Sequence, residues 1–452
     1  MNLFVPRPGS VTEFNGVPSL PRVLYRRVRA SRFGRHVIII AGGTIAGRAV
    51  ATLASPLLAR IYQPSDFGLL SVFMSLILAL GTVACLNYEA AIPLPKDDEL
   101  GLNVMGISFG VLFLNTLICG GVVLFFGKQV CQLLRTPSLG RYLWLLPLSL
   151  LGGGAFLILN SWAVRLQAFR ALAKRRVFQS VAQTLTQLGV PHIVGGPFGL
   201  LLGDAVGRAS GSWVLALDAR KYAAERGLRL SARKIAEAAN RYRRFPVFGS
   251  ASVLVHVSFF ALPPLLLTRL FGLREAGWYG LINQLGGAGI GLIGGSIGQV
   301  YVSNAAQLAH SSPTQLRALF LRTSRATFMM AVIPFGLLLF FGPPLFEFVF
   351  GPRWIEAGRY AQLLALPYLA VLTVSPVFPA LTVLERQDWQ LVVDTVGVVM
   401  MIFGMYYAHH LGLSGRWGVA AYGVSVFVTY LALFLLALMA IQGRCKQSTR
   451  PN

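Results

Sequence analysis

The sequence predicts an all-α integral membrane protein of about twelve transmembrane helices, built as two pseudo-symmetric six-helix lobes around a central cavity. Three observations lead there. Only 12% of the 452 residues are charged and 55% are hydrophobic, with a mean hydropathy of +0.63; soluble globular chains carry about 25% charged residues. Apolar runs of spanning length recur along the chain. Each is far longer than a ~10-residue barrel strand, so helices are the element that satisfies the backbone in lipid. Short phrases of the first half also return in the second.

The apolar runs lie near 37–59, 67–94, 100–126, 141–163, 178–195, 197–219, 246–271, 276–306, 326–350, 357–383, 389–413 and 416–441. The fifth and sixth are separated only by the uncharged "GVPHIVGGPFG". The repeat reads in order. "LLARIYQPSDFGLL" closes the first span and "LLTRLFGLREAGWYGL" closes the seventh, so Arg60 matches Arg269 and Gly68 matches Gly277. "FFG" at 125–127 matches "FFG" at 340–342, and "GRYLWLLPLSLL" from Gly140 matches "GRYAQLLALPYLA" from Gly358. The offset grows slowly, as loop insertions produce. Two homologous halves with an even number of spans run parallel, related by an axis along the membrane normal. The expected organisation is a basic cytoplasmic tail (1–36), a first lobe (37–219), a basic cytoplasmic linker (220–245), a second lobe (246–441) and a cytoplasmic tail (442–452).

The formal net charge is +24. With the N-terminus placed in the cytoplasm, most lysines and arginines fall in cytoplasmic loops and tails, which fixes both termini inside. Topology therefore accounts for the charge, and no nucleic-acid partner is expected. The basic head precedes an apolar run too long for a signal peptide and lacks a convincing cleavage site, so it reads as a tail with an interfacial stretch at "LYRRVRASRFGRH". The four cysteines show neither CxxC nor Cys/His spacing, so neither zinc nor a disulfide framework is expected. No Walker loop and no cofactor motif is present. The external loops are short, the longest at 127–140, and hold no catalytic constellation; the chain is not expected to be an enzyme.

Charges inside the spans carry the functional signal. Arg48 lies near the middle of the first, where a guanidinium costs roughly 2.5–3.5 kcal/mol to insert. Thr44, Arg48, Thr52 and Ser55 fall on one helical face, bordered by Gly43 and Gly47. Such a stripe turns toward protein or water. Two roles fit Arg48: pairing with an acid or backbone carbonyls, or binding an anionic substrate through its planar fork of donors. Glu89, in "LNYEAAIPLPKDD", is a coupling or gating acid or a partner of Lys96. Asp204 and Arg208 stand at i and i+4 and read as an internal ion pair, on a helix whose Gly203, Gly207 and Gly211 form a double GxxxG for close packing. His256 is a proton-linked group or a structural histidine. Asn283 and Gln284 open a stripe with Gly287, Gly291, Gly294 and Gly298, a close-packing or cavity-lining face. The GxGxxG inside it lacks the strand–turn–helix context of a dinucleotide site. Asp394, at the start of the eleventh span, reads as a second cavity acid.

"LARIYQPSDFGLLSVFMSL", "LNYEAAIPLPKDDEL", "LGDAVGR", "RYRRFPVFGSASVLVH", "REAGWYGLINQL" and "VFGPRWIEAGRYAQLLALPY…SPVFPALTVLERQ" resemble, in this order, the Wzx-type polysaccharide flippases. These form the oligosaccharide branch of the multidrug/oligosaccharidyl-lipid/polysaccharide exporter superfamily. The resemblance covers roughly residues 37–440. It implies two six-helix lobes around a cationic cavity. It also implies transport of an undecaprenyl-diphosphate-linked oligosaccharide to the periplasmic leaflet of the bacterial inner membrane by alternating access, with an ion gradient as a candidate drive. On that resemblance Arg48 contacts the diphosphate or an acidic sugar, with Thr52, Asn283 and Gln284 beside it. Glu89, Asp394 and His256 serve coupling or gating, and Asp204–Arg208 braces the lobe. A polysaccharide polymerase or chain-length regulator is the expected protein partner. Competing classes are a multidrug exporter of the same superfamily, which calls for acids dominating the cavity, and a membrane enzyme of glycan assembly, which calls for a large external catalytic loop.

Overall fold

The computed structural model describes residues 32–243, 245–246, 250–384 and 386–448, and all the regular structure there is helical. The first half contains α1 (Arg32–Ile61), α2 (Pro64–Val83), α3 (Asp98–Leu133), α4 (Leu145–Arg165), α5 (Phe169–Gly189), α6 (Phe198–Ala209) and α7 (Ser212–Glu225). A short amphipathic helix, α8 (Ala232–Arg241), follows. The second half contains α9 (Ser250–Phe271), α10 (Leu273–Ser311), α11 (Pro313–Phe350), α12 (Ile355–Val374), α13 (Ala380–Val383), α14 (Gln387–His410) and α15 (Gly415–Ser448). Each of the twelve apolar runs has its helical rod; α6 with α7 and α12 with α13 are single rods broken once.

Where rods and runs differ, backbone hydrogen bonding has overridden hydropathy. Helices α5 and α11 begin nine and thirteen residues before their apolar runs (178 and 326), since polar first turns are stable in the interface. The second run instead breaks early: α2 ends at Val83, Leu86 and Asn87 take positive φ, and a 3₁₀ turn holds Tyr88–Ala91. The carbonyls freed at Val83 and Ala84 accept from the amide of Asn115 on α3, at 3.0 and 3.1 Å. A break at membrane depth persists only where neighbours re-satisfy the backbone. Among the described residues seven helices are by themselves long and apolar enough to cross a membrane: α2, α3, α4, α10, α11, α14 and α15. The rods between them include the most enclosed, such as α12, whose Ala357, Tyr360, Ala361, Leu364 and Ala365 are buried. A rod surrounded by protein needs less apolar surface.

Helices α1 and α3–α7 pack chiefly on one another, as do α9–α15, and form the two lobes; α2 packs chiefly across the boundary, on α9 and α10. Helix α8 lies on α3, so the linker rides on the first lobe. The lobes meet where α1 and α2 cross α9, α10 and α11. That seam is reciprocal. A Cβ on Gly68 would overlap the carbonyl oxygen of Leu273, and one on Gly277 would overlap that of Pro64. Gly68 and Gly277 are repeat mates, and Pro64 and Leu273 are separated by the same offset, so each half offers the other the same contact. This is the signature of a two-fold interface, here within one chain. Beside it, the buried Trp354 donates its indole N–H to the carbonyl of Ala59 at 2.9 Å and meets Phe67 edge-on. The seam therefore closes the face opposite the chain termini.

At the terminus-bearing face Asp98 is a hub. Its carboxylate accepts from Arg165 at 2.8 Å, Tyr222 at 2.9 Å and Arg226 at 2.9 Å, tying α3 to the ends of α4 and α7. The adjacent Glu99 pairs with Lys234 of α8, which holds that ammonium above its ordinary pKa. The buried Asn103 donates to the carbonyl of Arg229 and accepts from the Ser231 amide.

Candidate functional site

Span one meets the second lobe at Arg48. Its Nη1 donates to the carbonyl of Gly287 on α10 at 3.0 Å, and a Cβ on Gly291 would stand 3.0 Å from the same nitrogen. The glycine stripe thus has two users: Gly287 and Gly291 receive the arginine, while Gly294 and Gly298 face Ser375 and Pro376. Arg48 is half-buried and shares a chamber of about 320 Å³ with Arg175, Arg176, Gln179 and Ser180 of α5. A second chamber, about 410 Å³, shares the Arg175 and Gln179 wall and adds Glu89 and Arg208. A third, about 290 Å³, lies at the lobe interface and is lined by Arg208, Gln183, Asn283 and Gln284.

The α5 wall is a polar ladder. Arg175, Gln179, Gln183 and Gln187 recur every four residues, so they occupy one helical face. Opposite stands the double GxxxG of α6. A Cβ on Gly203 would strike Gln187, one on Gly207 would lie 2.9 Å from Gln183 Cβ, and one on Gly211 2.6 Å from Arg175 Cγ. Gly211 also has φ of +74° at the break between α6 and α7, a conformation that favours glycine. The missing side chains admit long polar ones.

Arg175 is the most enclosed charge of this wall, at 3% exposure. Its guanidinium carbon sits 3.1 Å from the Phe156 ring centroid, and Nη2 donates to the carbonyl of Arg208 at 3.2 Å. Its Nε and Nη1 are buried with no hydrogen-bond partner. A donor left so costs about 1–3 kcal/mol, more when charged. Arg208 pairs with Asp204 at 2.8 Å, the acid being 4% exposed, so Arg208 enters the chambers partly neutralised. Glu89 stands on the 3₁₀ turn after the broken second span. Its Oε2 is buried without a hydrogen-bond partner, and Lys96 is not paired with it.

The remaining expected residues are scattered. Thr52 is exposed, while Ser55, on the same predicted stripe, is buried and donates to the Thr52 carbonyl at 2.6 Å. Asp394 is 6% exposed and lies outside the walls of the three chambers. One turn on, the carbonyl of Gly397 accepts from Ser425 of α15, so this part of α14 packs against its neighbour. The side chains of His256 and Thr44 lie outside the described residues. Sequence reasoning missed Arg175 and Arg176, which looked like loop charges. The signal was the four-residue spacing in "KRRVFQSVAQTLTQ", the same signal that picked out Arg48.

Fold and site together define a multi-pass helical membrane protein with two lobes and an arginine-lined interior. A model of the family described as "Polysaccharide biosynthesis protein" matches residues 57–359, and the chain belongs to that family. The succinoglycan biosynthesis transport protein ExoT of Rhizobium meliloti (strain 1021) is 24% identical over 323 residues, 69% of this chain and 61% of that protein. The chain thus spans less than two thirds of that relative's length. Among solved structures, the lipid II flippase MurJ in an inward closed conformation superposes with a TM-score of 0.72 at 11% identity, covering 92% of this chain and 94% of that one. An inward-facing multidrug resistance MATE family transporter of the MOP superfamily gives 0.63 at 14%, covering 91% and 100%. At such identities these two likenesses show the fold.

Proposed function

We propose that the chain is a transporter that moves an undecaprenyl-diphosphate-linked oligosaccharide, a repeat unit of O-antigen, capsule or exopolysaccharide, from the cytoplasmic to the periplasmic leaflet of a bacterial inner membrane. The lobes rock about the reciprocal seam, with both termini cytoplasmic. The observation that carries the reading is the buried Arg175 guanidinium, with two nitrogens lacking protein partners, in a wall shared with Arg48 and Arg176. A diphosphate oxygen is the acceptor that such a group lacks. Charge-assisted, bidentate bonds to phosphate are strong and gain further where water is excluded. Arg48 binds the same phosphates while linking the lobes through Gly287, so cargo competes with an interlobe contact. Glu89 is the coupling or gating acid. Asn283, Gln284 and Gln183 supply neutral donors and acceptors for sugar hydroxyls. The cavity holds more basic than acidic side chains, which disfavours a cationic drug as cargo.

The test is complementation of a deletion strain, scoring surface glycan together with lipid-linked repeat units trapped inside the cell. Wild type restores the glycan and clears the trapped units. Arg175→Ala, present in the membrane at wild-type level, leaves them trapped. Normal surface glycan in that variant removes the arginine cavity from the mechanism.

A further inference from the structure

Arg175 has a second face. Helices α5 and α7 touch only lightly, and a groove of about 560 Å³ opens between them on the flank of the first lobe. Lys174 and Asp218 stand at its mouth, toward the terminus-bearing face. One turn deeper, ~6 Å at 1.5 Å per residue, lie Phe178, Trp213 and Val214. Phe178 is 53% and Trp213 61% exposed. Arg175 forms the inner wall and is the residue common to this groove and the two chambers that hold Arg48 and Glu89. The groove is therefore amphipathic in a fixed order: charges at the interface, apolar rings one turn into the membrane, and Arg175 as the wall it shares with the polar interior. The Gly211 break makes this possible, because a side chain there would displace Arg175 from the wall.

We infer that the α5–α7 groove is a lateral portal for the lipid chain of the cargo. It rests on the transport reading above. A lipid-linked oligosaccharide must keep its isoprenoid chain in the bilayer while its head enters a polar cavity, so protein must part somewhere along the chain's path. With a phosphate on Arg175, the head extends into the chambers and the isoprenoid lies along Phe178, Trp213 and Val214. The chain's unsaturated, methyl-branched surface suits flat aromatic walls, and no polar group is left bare in hydrocarbon. The Arg175 wall shared with both chambers favours the cargo's own lipid over a bulk phospholipid, whose small headgroup would not extend into them.

The test uses full-length protein in nanodiscs with a photoreactive benzophenone amino acid at position 214 or, separately, at 178. Position 403, an exposed phenylalanine of α14 on the other lobe, serves as control. The probe is labelled undecaprenyl diphosphate without sugar. The portal predicts cross-linking at 214 and 178 but not 403, competed roughly tenfold better by unlabelled undecaprenyl diphosphate than by phosphatidylglycerol, a difference of about 1.4 kcal/mol. Arg175→Gln should lower the cross-link by about the same factor. Equal competition by phosphatidylglycerol, or equal labelling at 403, overturns the portal in favour of a general lipid surface. If the wild-type protein binds the probe but neither groove position labels, the portal falls and the transport reading stands. If the probe does not bind and Arg175→Ala still exports glycan, both fall.

Discussion

The two lobes share a sequence repeat and a reciprocal contact but differ in chemistry. In the second, the repeat mates Gly342 and Gly358 meet directly: a Cβ on Gly342 would lie 2.5 Å from the Gly358 carbonyl oxygen. In the first, the equivalent Gly127 and Gly140 would place a Cβ 3.3 Å from Leu143 Cδ1 and 3.6 Å from Cys131 Sγ. The second lobe is clamped at this helix pair and the first is looser. The first also carries the buried Arg175 and the half-buried Arg48, Arg176 and Arg208, whereas the position matching Arg48 in the second is Val257. Duplicated backbone contacts thus build the frame, and the departures from symmetry mark where chemistry was added.

The largest expected effect attacks the frame. Gly277→Leu puts a side chain into the Pro64 carbonyl at the seam and should cost about 3 kcal/mol. Monodisperse protein should be lost on size-exclusion of detergent extracts, while Gly127→Ala in the looser lobe elutes as wild type. Equal behaviour of the two would end the distinction between seam and slack. Next comes the chemistry of the first lobe. Removing a charge-assisted bond worth about 1.5–3 kcal/mol predicts that Arg175→Ala lowers glycan export roughly 10- to 100-fold at unchanged protein level. Arg48→Ala should fall by roughly tenfold, with Arg48→Lys in part restored, because Lys keeps the charge but loses the fork. Export unaffected by either variant would make the asymmetry structural. Asp98→Asn is smaller: it weakens bonds to Arg165, Tyr222 and Arg226 at the partly exposed hub and should cost about 1–2 kcal/mol, read as a lower thermal midpoint with export retained. The smallest is Lys221→Ala, which removes an exposed 3.9 Å pair with Glu225 and should stay within about 0.5 kcal/mol in the same melt.

Much of this was legible in the chain. Twelve apolar runs gave twelve rods, and the Arg60–Gly68 and Arg269–Gly277 phrases marked the seam. The spacing of Asp204 and Arg208 matched an ion pair that forms within a single helix. What stayed hidden depends on contacts between helices. The four-residue spacing from Arg175 to Gln187 was the one local sign that "KRRVFQ" belongs inside a helix, which starts at Phe169; its charges look like a loop until the glycines of α6 stand opposite. The break after Val83 was also hidden, since it depends on Asn115 from another rod to receive its carbonyls.

The sequence by itself determined the all-helical membrane architecture, the duplication and the presence of an arginine where lipid would exclude it. Hydropathy and periodicity are properties of the local chain, and every backbone group in a bilayer must be satisfied within its own helix or by a close neighbour. Only the tertiary structure decided which charges became a site. Arg48 acquired its meaning from Gly287 on the other lobe, and Arg175 from the gap at Gly211 and the ring of Phe156. Burial, and with it the strength of a guanidinium toward phosphate, is set by what stands across from a residue rather than by what stands next to it in the chain.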